Sequence, residues 1–275
     1  MNFNRFQCQE FIETELGCTD YTQLSSYKHI FKDYSLRETK LDELRGKAKA
    51  DAKDLYFKAL ITFLEATNGI KRGQSSWPIV KLYYSLFYSL RVFLLLSGNV
   101  ILKNGTRDIY GLKISAGEKP EKLNCTGISG DHKVTIKYFK ELFSHSEKIN
   151  TNNIDGQHVF DWIMSYRELV NYRINSFIEP QFGYEVVPNL FIATSSYDDL
   201  VSRYLNHPDI IYCFLKDHSI YATPLLFLKK SHDFLKENYG DEDILSEERC
   251  AASKSVIEQM DLKDSKVLKN LIFEL

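Results

Sequence analysis

The amino-acid sequence predicts a mainly α-helical protein with one small β-hairpin. Its longest stretches with few helix breakers place apolar residues three and four positions apart, which is the spacing of one helix face. Glycine and proline stand at the ends of these stretches, where helices begin and end. One dipeptide, Asn104-Gly105, separates two β-prone segments. We therefore expect a helical bundle that carries a hairpin insertion and additional terminal helices.

Two long helices are expected in the first half of the chain. The first covers residues 41 to 68, where apolar side chains recur at helical spacing, and Gly69 should end it. The second begins near Pro78, which suits a first turn because its missing N–H is not needed there. Ser75 or Ser76 can cap this helix, and Gly98 should end it.

Residues 99 to 131 differ in character from the helices on either side. Asn104-Gly105 suits a two-residue type I′ turn, so a hairpin and then an exposed loop are expected here. Ser129 or Asp131 can cap the helix that follows.

The later chain is expected to be helical as well. Two further helices are expected over residues 156 to 177 and 198 to 205, and terminal helices should follow them. The chain should then divide into three parts: an N-terminal extension over residues 1 to 40, a bundle over 41 to 180, and a C-terminal helical region over 181 to 275 packed on the bundle.

Composition and motifs exclude several classes of function. The 35 Lys and Arg against 37 Asp and Glu leave no surplus of cations for a phosphate backbone. Any nucleic acid should therefore be bound by a local part of the surface or through partners. The five cysteines form no C-x-x-C pair, and the seven histidines are not paired at turn spacing, so no metal site is expected. Neither of the glycine-rich phosphate-binding motifs, G-x-x-x-x-G-K-[ST] and G-x-G-x-x-G, occurs in the sequence, and we expect no cofactor.

The sequence also indicates a soluble, cytoplasmic protein. Its first residues show neither a basic start followed by an apolar run nor a small-residue cleavage site. The most apolar stretch, from Trp77 to Leu102, is interrupted by Lys81 and Arg91, which a membrane-spanning helix would not tolerate well. We expect this stretch to be a buried core helix without contact to a membrane.

Two segments are candidates for a protein interface. In the second long helix, Lys81, Tyr84, Tyr88 and Arg91 recur at helical spacing and mix aromatic rings with cations. The alternative is that these tyrosines fill the edge of the core while the cations extend to solvent. Near the C-terminus an apolar run could either bind a partner or dock on the protein's own core. Its candidate interface residues are Leu268, Leu271, Ile272 and Phe273.

The segment FDWIMSYRELVNYRINSF carries the remaining candidate residues. Arg167 and Asn171 lie one helical turn apart and away from its apolar face. The structural alternative is that Arg167 pairs with Glu168 or with a neighbouring helix, while Asn171 caps or bridges.

Three segments together resemble the HEPN superfamily of helical bundles: WPIVKLYYSLFYSLRVFLLLSG, SGDHKVTIKYFKELF and MSYRELVNYRINSF. The resemblance covers roughly residues 45 to 180 and implies a HEPN-like helical bundle. Members that cut RNA carry an arginine followed after four to six positions by a histidine. Here Arg167 is present, but Tyr172 and Arg173 stand where that histidine would fall.

The resemblance implies a non-catalytic role. HEPN-like proteins without the motif act as scaffolds, and similar ones are middle components of anti-phage systems such as Lamassu. We therefore expect an accessory subunit that docks an SMC-like or ABC-type ATPase, an effector nuclease, or both. One alternative is a ribonuclease toxin with a displaced catalytic set, drawn from Arg167, Asn171, His132 and His207. Another is an autonomous nucleotide-binding or RNA-binding module.

The missing histidine leads to a first testable prediction. Because tyrosine and arginine do not titrate near neutral pH, neither readily serves as general base toward a 2′-hydroxyl. The purified protein should therefore leave RNA intact with or without divalent metal in a gel-based cleavage assay. Cleavage that disappears in the variant Arg167→Ala would contradict this prediction.

Overall fold

A computed structural model describes residues 5–105, 108–123, 130–191, 196–240 and 243–272. It is 64% helical and 7% strand, which confirms the predicted mainly α fold with a small antiparallel sheet. The α-helices are α1 (Gln7–Glu15), α2 (Lys28–Asp33), α3 (Leu41–Lys71), α4 (Ser76–Leu96), α5 (Asp131–Leu142), α6 (Val159–Glu168), α7 (Tyr197–Asn206), α8 (Lys216–Tyr239), α9 (Glu247–Gln259) and α10 (Lys266–Lys269). The strands are β1 (Asn99–Asn104), β2 (Asp108–Lys113), β3 (Glu121–Lys122), β4 (Asn153–Ile154) and β5 (Gln157–His158).

The chain forms two compact units. The first comprises residues 1–55 and 91–142, and the second comprises residues 56–90 and 143–275. This division differs from the boundaries at residues 40 and 180 expected from the sequence. The reason is that α3 and α4 each supply residues to both units.

The two long helices match their predicted positions except at one end. α4 begins at Ser76 and stops at Leu96, followed by Gly98 at φ 74°, as expected. Gly69, in contrast, lies inside α3 and does not end it. A Cβ at Gly69 would lie only 2.9 Å from Pro78 Cγ, so the glycine permits close approach of α4. The helix ends instead before Gly73, whose φ of 77° reverses the chain.

The first unit contains the predicted hairpin, but with a different turn. Strands β1 and β2 pair antiparallel with Asn104 opposite Asp108. A two-residue type I′ turn centred on Asn104-Gly105 would require Lys103 to pair with Thr106, so that expectation is wrong. The pairing places three residues between the strands, and the last two of them lie outside the described residues.

The sheet and the next helix add two details to the sequence prediction. A third strand, β3, pairs with β2 inside the segment that was expected to be a loop. The following helix, α5, begins at Asp131, one of its two predicted caps. Ser129, the other one, lies outside the described residues.

The second unit has a hairpin that the sequence analysis did not predict. Strands β4 and β5 are joined by Asp155-Gly156, whose φ angles of 51° and 74° fit a two-residue type I′ turn. Helix α6 follows at Val159 and changes into a π-helix over Leu169–Arg173. The helix expected over residues 156 to 177 is therefore shorter, because Ile174 is already extended.

Buried tyrosines hold the core of the second unit together. The hydroxyl groups of Tyr221, Tyr197 and Thr67 form a chain, with 2.7 Å between the two tyrosines and 2.8 Å between Tyr221 and Thr67. Tyr56 donates to the carbonyl of Leu271 at 2.6 Å. Each hydroxyl is thus satisfied although its ring is removed from water.

Among the described residues, α4 is the one helix long and apolar enough to cross a membrane. However, 72% of its most apolar window is buried inside the protein. Burial of this kind is expected for the core helix of a soluble protein.

The C-terminal helix yields a prediction about stability. Leu268 is fully buried, so the substitution Leu268→Ala should lower the free energy of unfolding by about 2–5 kcal/mol through loss of packing. Urea denaturation would measure the change. Lys266→Ala is the matched control, because Lys266 is exposed in the same helix and should alter stability little. Equal stability of Leu268→Ala and the wild type would show that packing of Leu268 does not contribute to the stability of the fold.

Candidate functional site

One face of α4 presents aromatic and basic side chains. Trp77, Lys81, Tyr84 and Tyr88 are spaced by four, three and four residues, which places them on one stripe of the helix. Trp77 is 50% exposed, and the other three are partly buried. Lys81 pairs with Glu65 at 2.9 Å. This stripe therefore has an exposed ring at one end and partly covered tyrosines toward the other.

Arg167, on α6, lies against two tyrosines of α4. The carbon of its guanidinium group is 5.5 Å from the ring centre of Tyr83 and 5.7 Å from that of Tyr84. Its Nη2 donates to the hydroxyl of Tyr84 at 3.2 Å. Such a position over aromatic rings stabilises a cation through the electron-rich ring faces.

The π-helix brings a third tyrosine to the same cation. Tyr172 follows Arg167 by five positions, and in a regular α-helix the two side chains would point about 140° apart. Hydrogen bonds from i to i+5 wind the chain more widely, and the Tyr172 ring centre lies 5.2 Å from the guanidinium carbon. The Tyr172 hydroxyl accepts from Nη2 at 3.5 Å, at the limit of a hydrogen bond.

Arg167 has no carboxylate partner among the described residues. All its recorded contacts are with Tyr83, Tyr84 and Tyr172, and its buried Nε has no hydrogen-bond acceptor there. Burial lowers the pKa of Arg167, but the hydrogen bond to Tyr84 and the nearby tyrosines outweigh it and raise the pKa. The side chain is therefore a permanent cation, and no carboxylate among the described residues neutralises it.

Glu179 holds the segment after the π-helix against the start of α4. Its carboxylate accepts hydrogen bonds from the backbone N–H groups of Ser75 and Ser76 and from the Ser76 hydroxyl. These are the N–H groups that a helix start leaves without internal partners. The clamp accompanies an edge-to-face contact between Phe177 and Trp77, whose ring centres are 5.5 Å apart.

These contacts define one surface, which we call the Arg167 surface. Its exposed rings are those of Trp77, Tyr172 and Phe177, with exposed fractions of 50%, 71% and 43%. Large apolar side chains exposed together are characteristic of binding sites. The members of the Arg167 surface are Trp77, Tyr84, Arg167, Tyr172 and Phe177.

The structure separates the predicted interface residues into three groups. Lys81, Tyr84 and Tyr88 belong to the second unit, whereas Arg91 belongs to the first, where it lies over the ring of Phe6. The predicted C-terminal residues form the third group. Leu268, Leu271 and Ile272 are buried, as the docking alternative expects, and Phe273 lies outside the described residues.

The residues named for a ribonuclease are divided between the two units. His132 is the second residue of α5 in the first unit, whereas Arg167 and Asn171 belong to the second. His207 follows α7, where its ring contacts Tyr212 and its Nδ1 accepts the Asp209 N–H at 3.2 Å. Asn171 is partly exposed on the π-helix. Among the described residues, no group of three metal-ligating side chains forms.

Sequence reasoning missed several members of this surface. Trp77 precedes Lys81 by four residues, so the helical stripe alone could have included it. Phe177 had no such signal, nor had Glu179, which lies outside the defined surface, because both stand beyond the helix and contact residues that are distant in sequence.

The Glu179 clamp leads to a prediction with a defined pH dependence. Burial raises the pKa of Glu179, but the hydrogen bonds from Ser76 and Ser75 outweigh it and lower the pKa to about 2. Because the folded pKa lies below that of the unfolded chain, the stabilisation is complete above about pH 5 and is lost as pH falls toward 2. Glu179→Gln should thus lower the free energy of unfolding by about 1–2 kcal/mol at pH 7.

Urea denaturation at several pH values would measure this. The difference between Glu179→Gln and the wild type should shrink as the pH is lowered through that window. Glu185→Gln serves as control, because Glu185 is exposed in the same segment. A constant difference between pH 7 and pH 3 would exclude the carboxylate as the source of the stabilisation.

Comparison with protein-family models gave no match, and comparisons with curated proteins and with solved structures gave no significant match either.

Proposed function

We propose that this chain is a non-catalytic subunit that docks a partner protein through the Arg167 surface. The observation that carries the proposal is a partly buried arginine set among tyrosines, of which Tyr84 shares a stripe of α4 with the exposed ring of Trp77. Tryptophan, tyrosine and arginine are the residues that contribute most often to binding energy at protein interfaces. The rings supply area at little entropic cost, and the cation supplies specificity.

The sequence resemblance suggests which complex this subunit belongs to. A HEPN-like bundle without the histidine of the ribonuclease motif is similar to middle components of anti-phage systems such as Lamassu. On this proposal the chain is cytoplasmic and docks an SMC-like or ABC-type ATPase, an effector nuclease, or both. Nucleic acid would then be met through the partners, since the chain carries a formal net charge of -2.

The ribonuclease alternative has less support from the geometry. A general acid or base must lie within hydrogen-bond reach of its substrate and titrate near the working pH. The recorded partners of Arg167 are three tyrosines, and the recorded ring contact of His207 is with Tyr212. The arrangement is better suited to binding than to proton transfer.

The proposal predicts how complex formation responds to changes on this surface. Co-expression with the neighbouring genes and size-exclusion chromatography would identify the complex, and its dissociation constant would then be measured with purified components. The double variant Trp77→Ala, Tyr172→Ala should raise that constant more than tenfold, as loss of interface anchors does.

Ile211→Ala is the matched control, because Ile211 is an apolar side chain, 44% exposed, in the same unit. Thermal unfolding would confirm that all variants fold. A complex of unchanged affinity in the double variant would remove the Arg167 surface from the interface.

A further inference from the structure

The neighbouring cations differ from Arg167 in how they are neutralised. Lys81, on the α4 stripe, pairs with Glu65 at 2.9 Å, and Arg173, at the end of the π-helix, pairs with Glu168 at 3.7 Å. Arg167 has neither carboxylate within salt-bridge distance. The tyrosine contacts replace part of the hydration that burial removes from Arg167, but they supply no full negative charge.

Three acids near the surface are already engaged. Glu179 is committed to the hydrogen bonds that it accepts from Ser75 and Ser76. Glu168 and Glu65 are the partners of the two other cations. These contacts direct the three carboxylates toward other groups, so none of the three neutralises Arg167, and a partner can supply the matching negative charge.

The guanidinium group retains donors for such an anion. It carries five N–H donors, and the two recorded hydrogen bonds both come from Nη2. Because Nε is buried and Nη2 already donates twice, the donors left for a carboxylate are those of Nη1, and such charge-assisted hydrogen bonds are among the stronger polar contacts. The exposed rings of Trp77, Tyr172 and Phe177 would bury the apolar side chains on either side of that acid.

We propose that the Arg167 surface binds a partner segment in which one acidic side chain stands between apolar or aromatic side chains. This inference rests on the proposed docking function and names the chemistry of the partner. One unneutralised cation, flanked by two cations that already have carboxylates, complements one carboxylate. A nucleic acid would instead require several cations along its backbone, because its affinity depends on the number of phosphates contacted.

Two capped peptides of identical length test the proposal. One is acetyl-Ser-Phe-Glu-Phe-Ser-amide, and the other has glutamine in place of the glutamate. Binding would be followed by NMR of the full-length protein through the indole N–H of Trp77. This signal would be separated from that of the buried Trp162 by the variant Trp77→Phe. The glutamate peptide should bind about tenfold more tightly, as a charge-assisted pair allows.

A pair of variants shows whether Arg167 is responsible. Arg167→Gln should reduce the affinity for the glutamate peptide to that for the glutamine peptide. Arg173→Gln should keep the preference, because Arg173 is an exposed arginine five residues away from the end of α6 and is paired with Glu168. Thermal unfolding would show whether Arg167→Gln is folded. If it is not, the comparison of the two peptides on the wild type still tests the proposal.

Three results would overturn the inference. They are equal binding of the two peptides by the wild type, a preference that persists in Arg167→Gln, and no binding of either peptide at millimolar concentration. Arg167-dependent binding of a uridine octanucleotide in place of the peptide would likewise overturn it in favour of RNA. If the two peptides bind equally while the double variant Trp77→Ala, Tyr172→Ala still disrupts the complex, the docking function is supported and the acidic partner segment is contradicted. If the glutamate preference holds while the complex is unaffected, the docking function falls.

Discussion

Close packing of α3 against α4 in the second unit is the constraint on which the candidate site depends. The absent side chain of Gly69 leaves room for Pro78, since a Cβ there would come within 2.9 Å of Pro78 Cγ. Further along, the Ser85 hydroxyl donates to the carbonyl of Ala59 at 2.9 Å. These contacts fix the rotation of α4, so one stripe faces the core while the stripe that starts at Trp77 remains partly open.

Most of the helical architecture could be predicted because its signals are local. Caps, helix-ending glycines and apolar spacing gave the extent of α4 and the position of α7 within a residue or two. The errors came where a local signal had a tertiary role. Gly69 was interpreted as a helix end, although it permits close helix packing. The hairpin at Asn104-Gly105 does not have the expected two-residue turn, whereas a different hairpin, at Asp155-Gly156, has one.

The candidate site was harder to predict because it depends on geometry that spacing does not encode. Arg167 was identified from the sequence, but its three tyrosine partners depend on α4 packing and on π-helical winding. A regular helix would have directed Tyr172 away from the cation. The sequence distance of five therefore gave no signal of a contact. Of the two structural alternatives for Arg167, the pair with Glu168 is made by Arg173, whereas the contact with a neighbouring helix is made through Tyr84 of α4.

On the docking proposal, Arg167 and Arg173 separate a binding charge from a structural charge within one short segment. Arg173 is exposed and paired with a glutamate, and such a surface pair contributes little to either stability or recognition. Arg167 is fixed by three rings and is only partly solvated, so an incoming anion would meet a cation that needs little reordering. Interactions with preorganised groups lose less conformational entropy on binding. On the docking proposal, the tyrosines that reduce the hydration of Arg167 would also make it the more selective of the two cations.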